Sequence, residues 1–168
     1  RSALAERLSI IDDAPLRLVL HLANDDIEVA RPVLNKSLAL SDLDLIYIAK
    51  SKGSGHWQAI ANRSQLSPQV IDVLADKKDK DTAIILSTND RIHLTWHALE
   101  ILGDMARSNE DLAKPLLMRP ELPETIVRKL YDHVSLELRH YIRDYYGILS
   151  GESEAVIDFA AERQLCGH

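Results

Sequence analysis

Residues 66–89 carry the clearest pattern of hydrophobic and polar positions in the chain. Four apolar residues recur there at the spacing of one helix face, namely Val70, Ile71, Leu74 and Ala75. Ser67 is a suitable N-cap, and Pro68 suits the first helical position, where a missing N–H costs nothing. The charged run 76–81 predicts a solvated turn, and the apolar run 84–86 predicts a second helix. Because helices of about ten residues are unstable alone in water, the pair is expected to bury its apolar side against neighbours.

This pattern recurs along the chain at a spacing of 26 residues. Taking Leu66 as an anchor, the equivalent anchors are Ala14, Leu40 and Ile92, and a longer step of 30 residues reaches Leu122. Positions four, five, eight and nine after an anchor are mostly apolar, as in Leu18, Val19, Leu22 and Ala23 or Ile126, Val127, Leu130 and Tyr131. After Ile92 the apolar face is rotated, and it consists of Leu94, Ala98, Leu99, Ile101 and Leu102.

The repeat predicts an all-α fold, a short right-handed α-solenoid of antiparallel helix pairs in a single domain over residues 1–168. The repeats start near residues 14, 40, 66, 92 and 122, and residues 135–168 are expected to form a C-terminal helical cap. Outside the central pair, helices are expected at about 15–23, 26–35, 41–51, 55–63, 110–118, 123–133, 135–147 and 153–165, with one starting near His93 and reaching about Arg107. Pro32 and Pro115 fall inside two of them and are interpreted as structural kinks.

Composition narrows the classes of function. The net charge is −6, from 20 basic and 26 acidic residues of interspersed sign, which disfavours wrapping a nucleic-acid backbone. No apolar run is long enough to cross a bilayer, so no membrane partner is expected. The single cysteine, Cys166, excludes an intramolecular disulfide and suits a reducing compartment, so a cytoplasmic location is expected. An N-terminal portion preceding Arg1 is also expected, since the chain opens inside a helical pattern.

His93 and His97 are the weak candidates for a metal site, because they are four residues apart on the expected helix. Leu94 stands where a zinc-protease helix requires Glu, and a third ligand would have to come from His56 or Asp104. Packing or surface roles are the simpler interpretation. No metal site and no cofactor are therefore predicted.

Two further features resemble catalytic or phosphate-binding motifs but favour structural roles. Acidic pairs at 12–13, 25–26 and 42/44 flank helix starts, where carboxylates complement the helix dipole. The glycines of Lys52-Gly53-Ser54-Gly55 have neither the preceding strand nor the Lys-Ser/Thr of a nucleotide-binding loop, so a turn between helices is predicted. Nothing in the sequence makes an enzyme the leading hypothesis.

The aromatic and basic cluster at residues 139–146 is the candidate partner-binding site. Its residues are Arg139, Tyr141, Arg143, Tyr145 and Tyr146. Tyrosine and arginine dominate the energetics of many protein interfaces, although these tyrosines would also serve to pack against the preceding helix pair. The cluster predicts contact with a protein or peptide, or a homodimer formed through the C-terminal helices.

Several runs resemble one bacterial protein family. They are Leu22-Ala-Asn-Asp-Asp-Ile-Glu-Val-Ala-Arg-Pro-Val-Leu34, Leu40-Ser-Asp-Leu-Asp-Leu-Ile46, Ala59-Ile-Ala-Asn-Arg63 and Leu66-Ser67. Over about residues 14–135 the chain resembles a family of uncharacterised proteins with HEAT-like helical repeats, a domain of unknown function. The resemblance implies a helical-repeat fold in a bacterial cytosolic protein and supplies no catalytic residues.

The leading hypothesis is a non-enzymatic scaffold with a regulatory role that binds a protein or peptide on one face of its repeats. The first alternative is nucleic-acid binding through Lys77, Lys78, Lys80 and Arg91, which the interleaved Asp76, Asp79, Asp81 and Asp90 disfavour. The second alternative is a metal or small-molecule module at His93 and His97.

Overall fold

A computed structural model describes residues 1–11 and 13–147 of the chain. Within these residues the secondary structure consists of eleven α-helices and no strands, so the prediction of an all-α fold is confirmed. The helices are α1 (Ser2–Ser9), α2 (Leu16–Ala23), α3 (Ile27–Lys36), α4 (Asp42–Ser51), α5 (Ser54–Ala61), α6 (Pro68–Asp76), α7 (Lys80–Thr88), α8 (Trp96–Ala106), α9 (Glu110–Leu117), α10 (Glu124–Tyr131) and α11 (Leu136–Tyr146). The chain divides within α8 into two compact units, residues 1–102 and 103–168.

Local sequence signals explain where many of these helices begin and end. The Ser67 side chain accepts from the Val70 N–H and Pro68 opens α6, as predicted. Ser41 and Asp44 form a reciprocal capping box at the start of α4. Helix α11 ends at Gly147, whose φ of 67° is a left-handed conformation that glycine adopts at little cost.

In the first unit, most helices contact the next helix along the chain, and several also contact the next but one. Helices α1, α3, α5 and α7 form one series of successive contacts, while α4 packs on α6. The predicted apolar face of α6 is buried, and so are its equivalents in α2 and α4 apart from the half-buried Leu18 and Asp44. The rotated face after Ile92 is buried too, except for the half-buried Ile101. Burial of these stripes supplies the stability that short helices lack alone.

Buried polar side chains recur at one position of the repeat, which was not predicted from the sequence. Each lies three residues before an anchor, and they are Ser37, Arg63, Asn89 and Arg119. The Arg63 guanidinium donates to the carbonyls of Leu34 and Ser37, both at 2.6 Å. The Asn89 amide donates to the carbonyls of Ala61 and Arg63 at 2.9 and 2.8 Å. Arg63 and Asn89 thus satisfy carbonyls at the ends of helices one repeat earlier, which those helices leave without internal donors.

The described part of the second unit comprises the end of α8 with α9, α10 and α11. Gly103 faces Ile126 of α10 so closely that a Cβ at position 103 would lie 2.7 Å from the Ile126 Cγ2 methyl. The predicted apolar face of α10 is buried, and α11 packs on α10. The glycine therefore permits the close approach of α8 and α10.

Two expectations differ from the structure or lie outside it. His93 was placed on a helix by the repeat pattern, but α8 begins only at Trp96, so His93 precedes the helix. The rotated apolar face accounts for this late start, because residues 92–95 pack as an irregular segment with Ile92 and Leu94 buried. The helix predicted at 153–165, and with it most of the proposed cap, lies outside the described residues, as does Asp12.

Candidate functional site

The predicted cluster on α11 contains three tyrosines whose rings are in contact. The rings of Tyr141 and Tyr145 stack with centroids 5.5 Å apart and planes 7° from parallel. The ring of Tyr146 meets Tyr145 edge-on, with 4.9 Å between centroids. Tyr145 stays 64% exposed, so the structure presents one large aromatic surface supported by two neighbouring rings.

Tyr146 is held by an internal hydrogen bond. Its hydroxyl donates to the Leu117 carbonyl at 2.6 Å, which joins the end of α11 to the end of α9. Burial raises the pKa of Tyr146 to about 12, and the neighbouring Tyr141 and Tyr145 add to this effect. Burial also raises the pKa of Tyr141. Tyr146 therefore acts as a support that fixes the position of the exposed ring.

The two arginines of the cluster have different environments. Arg139 donates to the Tyr131 and Asp132 carbonyls, both at 3.0 Å, at the end of α10. Its guanidinium also lies 5.7 Å from the Tyr131 ring centroid. Arg143 is exposed and bonds to His140 Nδ1 at 2.6 Å. Arg139 thus bonds to the preceding helix, while the contact of Arg143 is within its own helix.

The two histidines that are candidates for a metal site do not share a helix, because His93 precedes α8 and His97 lies on it. The His97 Nε2 atom lies 2.6 Å from Asp76 Oδ1, an ion pair when the imidazole is protonated. Among residues 1–11 and 13–147, no three histidine, cysteine, aspartate or glutamate side chains converge in a way that would hold a metal ion. His56, one of the two candidate third ligands, bonds to the Asp25 carbonyl at 2.9 Å.

We expect the pKa of His97 to lie above the ordinary value of about 6.5. The hydrogen bond with Asp76 is the main cause; desolvation opposes it, and the negative charges of Asp76, Asp72 and Glu100 add to it. The stabilisation from this pair is complete below the unfolded-state pKa and is lost as pH rises through the folded-state pKa. Titration of the His97 Cε1–H signal by NMR checks this, and Asp76→Asn should lower the midpoint. An unchanged midpoint in that variant would contradict the assignment.

The residues considered for nucleic-acid or phosphate binding have structural surroundings. The Lys77 ammonium lies 5.3 Å from the Trp57 ring centroid, and Arg91 donates to the Asn62 carbonyl at 3.0 Å. Gly53 is the N-cap residue of α5, as expected for a turn between helices. A Cβ at Gly55 would lie 3.1 Å from the Ile27 side chain, so this glycine allows close packing of α5 on α3. These contacts give Lys77, Arg91 and the two glycines structural roles within the fold.

A second exposed surface lies on α4 and was missed from the sequence. Leu43 and Tyr47 stand four residues apart on this helix and are 77% and 67% exposed. Beside α4 is a cleft of about 350 Å³ whose lining includes Leu38, Leu40 and Arg63. The helical spacing of Leu43 and Tyr47 indicates a second apolar face on α4. The repeat pattern does not include it, because that pattern is defined by the buried positions.

No helix in the described part of the chain combines the length and hydropathy that crossing a bilayer requires. The fold and its surfaces thus define an all-α protein with exposed aromatic and apolar side chains on α4 and α11. A family model described as "Uncharacterised protein conserved in bacteria (DUF2336)" matches residues 29–166, and the chain belongs to this family. The match starts later than the resemblance noted from residues 14–135 and extends into the C-terminal segment. Neither curated proteins nor solved structures gave a match.

Proposed function

We propose that this protein is a non-enzymatic scaffold of the bacterial cytoplasm that binds a protein or peptide partner. We further propose that its helix pairs continue as a short right-handed superhelix of HEAT-like repeats. The successive contacts of α1, α3, α5 and α7 support this arrangement, and so does the hydrogen bonding of Arg63 and Asn89 at equivalent places. Repeats of this kind present extended surfaces rather than enclosed pockets, which suits recognition of another chain.

The exposed ring of Tyr145 is the observation that carries the binding proposal. Its packing on Tyr141 and Tyr146 fixes the ring before a partner arrives, and the Tyr146 hydroxyl is itself fixed at 2.6 Å from the Leu117 carbonyl. A rigid, exposed aromatic loses little conformational entropy on binding. Arg143 is exposed on the same helix, and because residues two apart do not share a helix face, it offers charge and hydrogen-bond donors on a different side of α11 from Tyr145. An immobilised tyrosine and an exposed arginine on one helix match the composition of energetically dominant interface residues.

We expect Tyr145→Ser combined with Arg143→Gln to abolish capture of a specific partner, because the exposed ring and the exposed charge of α11 are both removed. The measurement is affinity purification from an extract of the source bacterium, followed by quantification of the recovered proteins. Tyr47→Ser is the matched control, since Tyr47 is 67% exposed and lies on a different helix. It should leave the capture intact. Loss of the partner in Tyr47→Ser alone would instead place the contact on α4.

Self-association through the C-terminal helices is tested with the same variants. Light scattering after size-exclusion chromatography gives the mass of the wild-type protein in solution. A homodimer that dissociates in the Tyr145→Ser and Arg143→Gln variant would make a second copy the partner. Equal capture by wild type and this variant, with an unchanged mass, would contradict the assignment of the α11 cluster. Retention of the circular dichroism spectrum shows that the variants remain folded.

A further inference from the structure

A cleft of about 520 Å³ lies between α1 and the C-terminal half of α3 and is lined by three cationic side chains. The cations are Arg7 on α1 with Arg31 and Lys36 on α3. The cleft lining also includes Glu6, Ile10 and Asn35. This is an unusual concentration of positive charge for a chain whose net charge is −6. The cleft volume falls in the range of about 300–1,000 Å³ that is typical of ligand sites.

None of these three cations has a hydrogen bond or an ion pair with another described residue. Several arginines elsewhere in the described chain have partners, as in the Arg1–Asp25 pair at 2.9 Å and the Arg128–Glu124 pair at 2.6 Å. Like charges that line one cleft repel each other, and Glu6 offsets only one of them. An anionic ligand would relieve this repulsion and satisfy the guanidinium donors through charge-assisted hydrogen bonds.

The distribution of the cations favours a peptide over a single small anion. Arg7 comes from α1, whereas Arg31 and Lys36 come from α3, so three separate side chains on two helices supply the positive charge. In an extended peptide, side chains at alternate positions lie about 7 Å apart on one side of the strand. A peptide with several carboxylates offers each cation its own acidic partner, whereas one phosphate group would have to serve all three. Ile10, which is 72% exposed and also lines the cleft, offers an apolar contact.

We propose that the α1–α3 cleft binds an extended acidic peptide segment with carboxylates at alternate positions. This inference rests on the proposed function of a peptide-binding scaffold and adds a chemical class of partner at a surface separate from α11. Recognition combines salt bridges to Arg7, Arg31 and Lys36 with an apolar contact to Ile10. The binding is expected to weaken as salt is raised, because these cations are exposed to screening.

The test uses a fluorescein-labelled peptide of alternating glutamate and valine, with fluorescence polarisation as the readout. We expect saturable binding to the wild-type chain and no binding of the analogue with glutamine in place of glutamate. The double variant Arg7→Gln and Arg31→Gln should raise the Kd about tenfold or more, since two charge-assisted contacts are lost. Arg17→Gln is the matched control, because Arg17 is exposed on α2 and does not line the cleft. It should bind like wild type.

Three outcomes would overturn the proposal. They are no binding by the wild-type chain, equal weakening in the Arg17→Gln control, and complete displacement by inorganic phosphate at millimolar concentration, which would indicate a simple anion site. The Tyr145→Ser and Arg143→Gln variant separates this proposal from the α11 surface. If that variant binds the acidic peptide normally but loses its cellular partner, the two surfaces act independently. If the Tyr145→Ser and Arg143→Gln variant keeps the cellular partner while the cleft variant loses the peptide, the α11 assignment is wrong and the cleft proposal stands.

Discussion

Arg63→Met should destabilise the protein by about 3 kcal/mol, since hydrogen bonds to charged groups contribute about 1.5–3 kcal/mol each. The Arg63 side chain is 7% exposed and donates to the Leu34 and Ser37 carbonyls, which the methionine leaves without a donor. Burial lowers the pKa of Arg63, and the nearby Asp42 partly opposes this, so some desolvation cost is recovered on replacement. The loss of two short hydrogen bonds exceeds that recovery. Urea unfolding followed by circular dichroism measures the change.

Arg128→Met provides the control for removing an arginine as such. Arg128 forms an exposed ion pair with Glu124 on the same helix, and such pairs contribute about 0.5 kcal/mol or less. The urea midpoint of this variant should therefore shift little. If Arg63→Met and Arg128→Met shifted the midpoint equally, the buried guanidinium would have no special role in the fold. Arg63→Lys should fall between wild type and Arg63→Met, because one ammonium cannot span both carbonyls as a guanidinium does.

Gly103→Ala should destabilise the second unit by about 1–2 kcal/mol, the cost of overpacking less the better helix propensity of alanine. The new Cβ would lie 2.7 Å from the Ile126 Cγ2 methyl, which is fixed to a branched carbon and cannot swing away. Thermal unfolding followed by circular dichroism measures the effect. Gly53→Ala serves as the control, because a Cβ there meets no atom within 4 Å.

Ile126→Leu tests the cause of that destabilisation. It moves the branch from the β to the γ carbon and so removes the methyl that faces Gly103. The double variant should lose less stability than the sum of the losses in the two single variants, because residues in contact are energetically coupled. Strict additivity would show that the Gly103→Ala effect arises elsewhere than at Ile126.

The hydrophobic spacing was sufficient to predict the helices, because burial of one face is what makes short helices stable. Val70, Ile71 and Leu74 are buried as predicted, and α6 begins at Pro68 after the expected Ser67 cap. The family resemblance was also correct, whereas the starting point of α8 was not. His93 follows a repeat step whose apolar face had rotated, and a rotated face changes which residues begin a helix. Periodicity alone does not show that change.

The roles of individual arginines were not predictable from the sequence, because they depend on contacts between residues distant in the chain or across a turn. Arg139 stays a predicted partner contact, and its bonds to the carbonyls at the end of α10 were not predicted. Nothing in the sequence indicates the bonds of Arg63 to residues 26 and 29 positions earlier. The cations of the α1–α3 cleft are 24 residues or more apart in sequence, apart from Arg31 and Lys36. A guanidinium reaches several ångströms, so its final partner is decided by tertiary packing.

The direction of the bonds from Arg63 and Asn89 has a consequence for synthesis of the chain. Both side chains donate backwards, to carbonyls of helices that leave the ribosome earlier. The carbonyls of Leu34 and Ser37 thus gain their donor only when Arg63 emerges, and that of Ala61 only when Asn89 does. The carbonyls at the last helix end of a nascent segment therefore lack their side-chain donors until about one more repeat has been translated. Assembly is expected to proceed from the N-terminus onward.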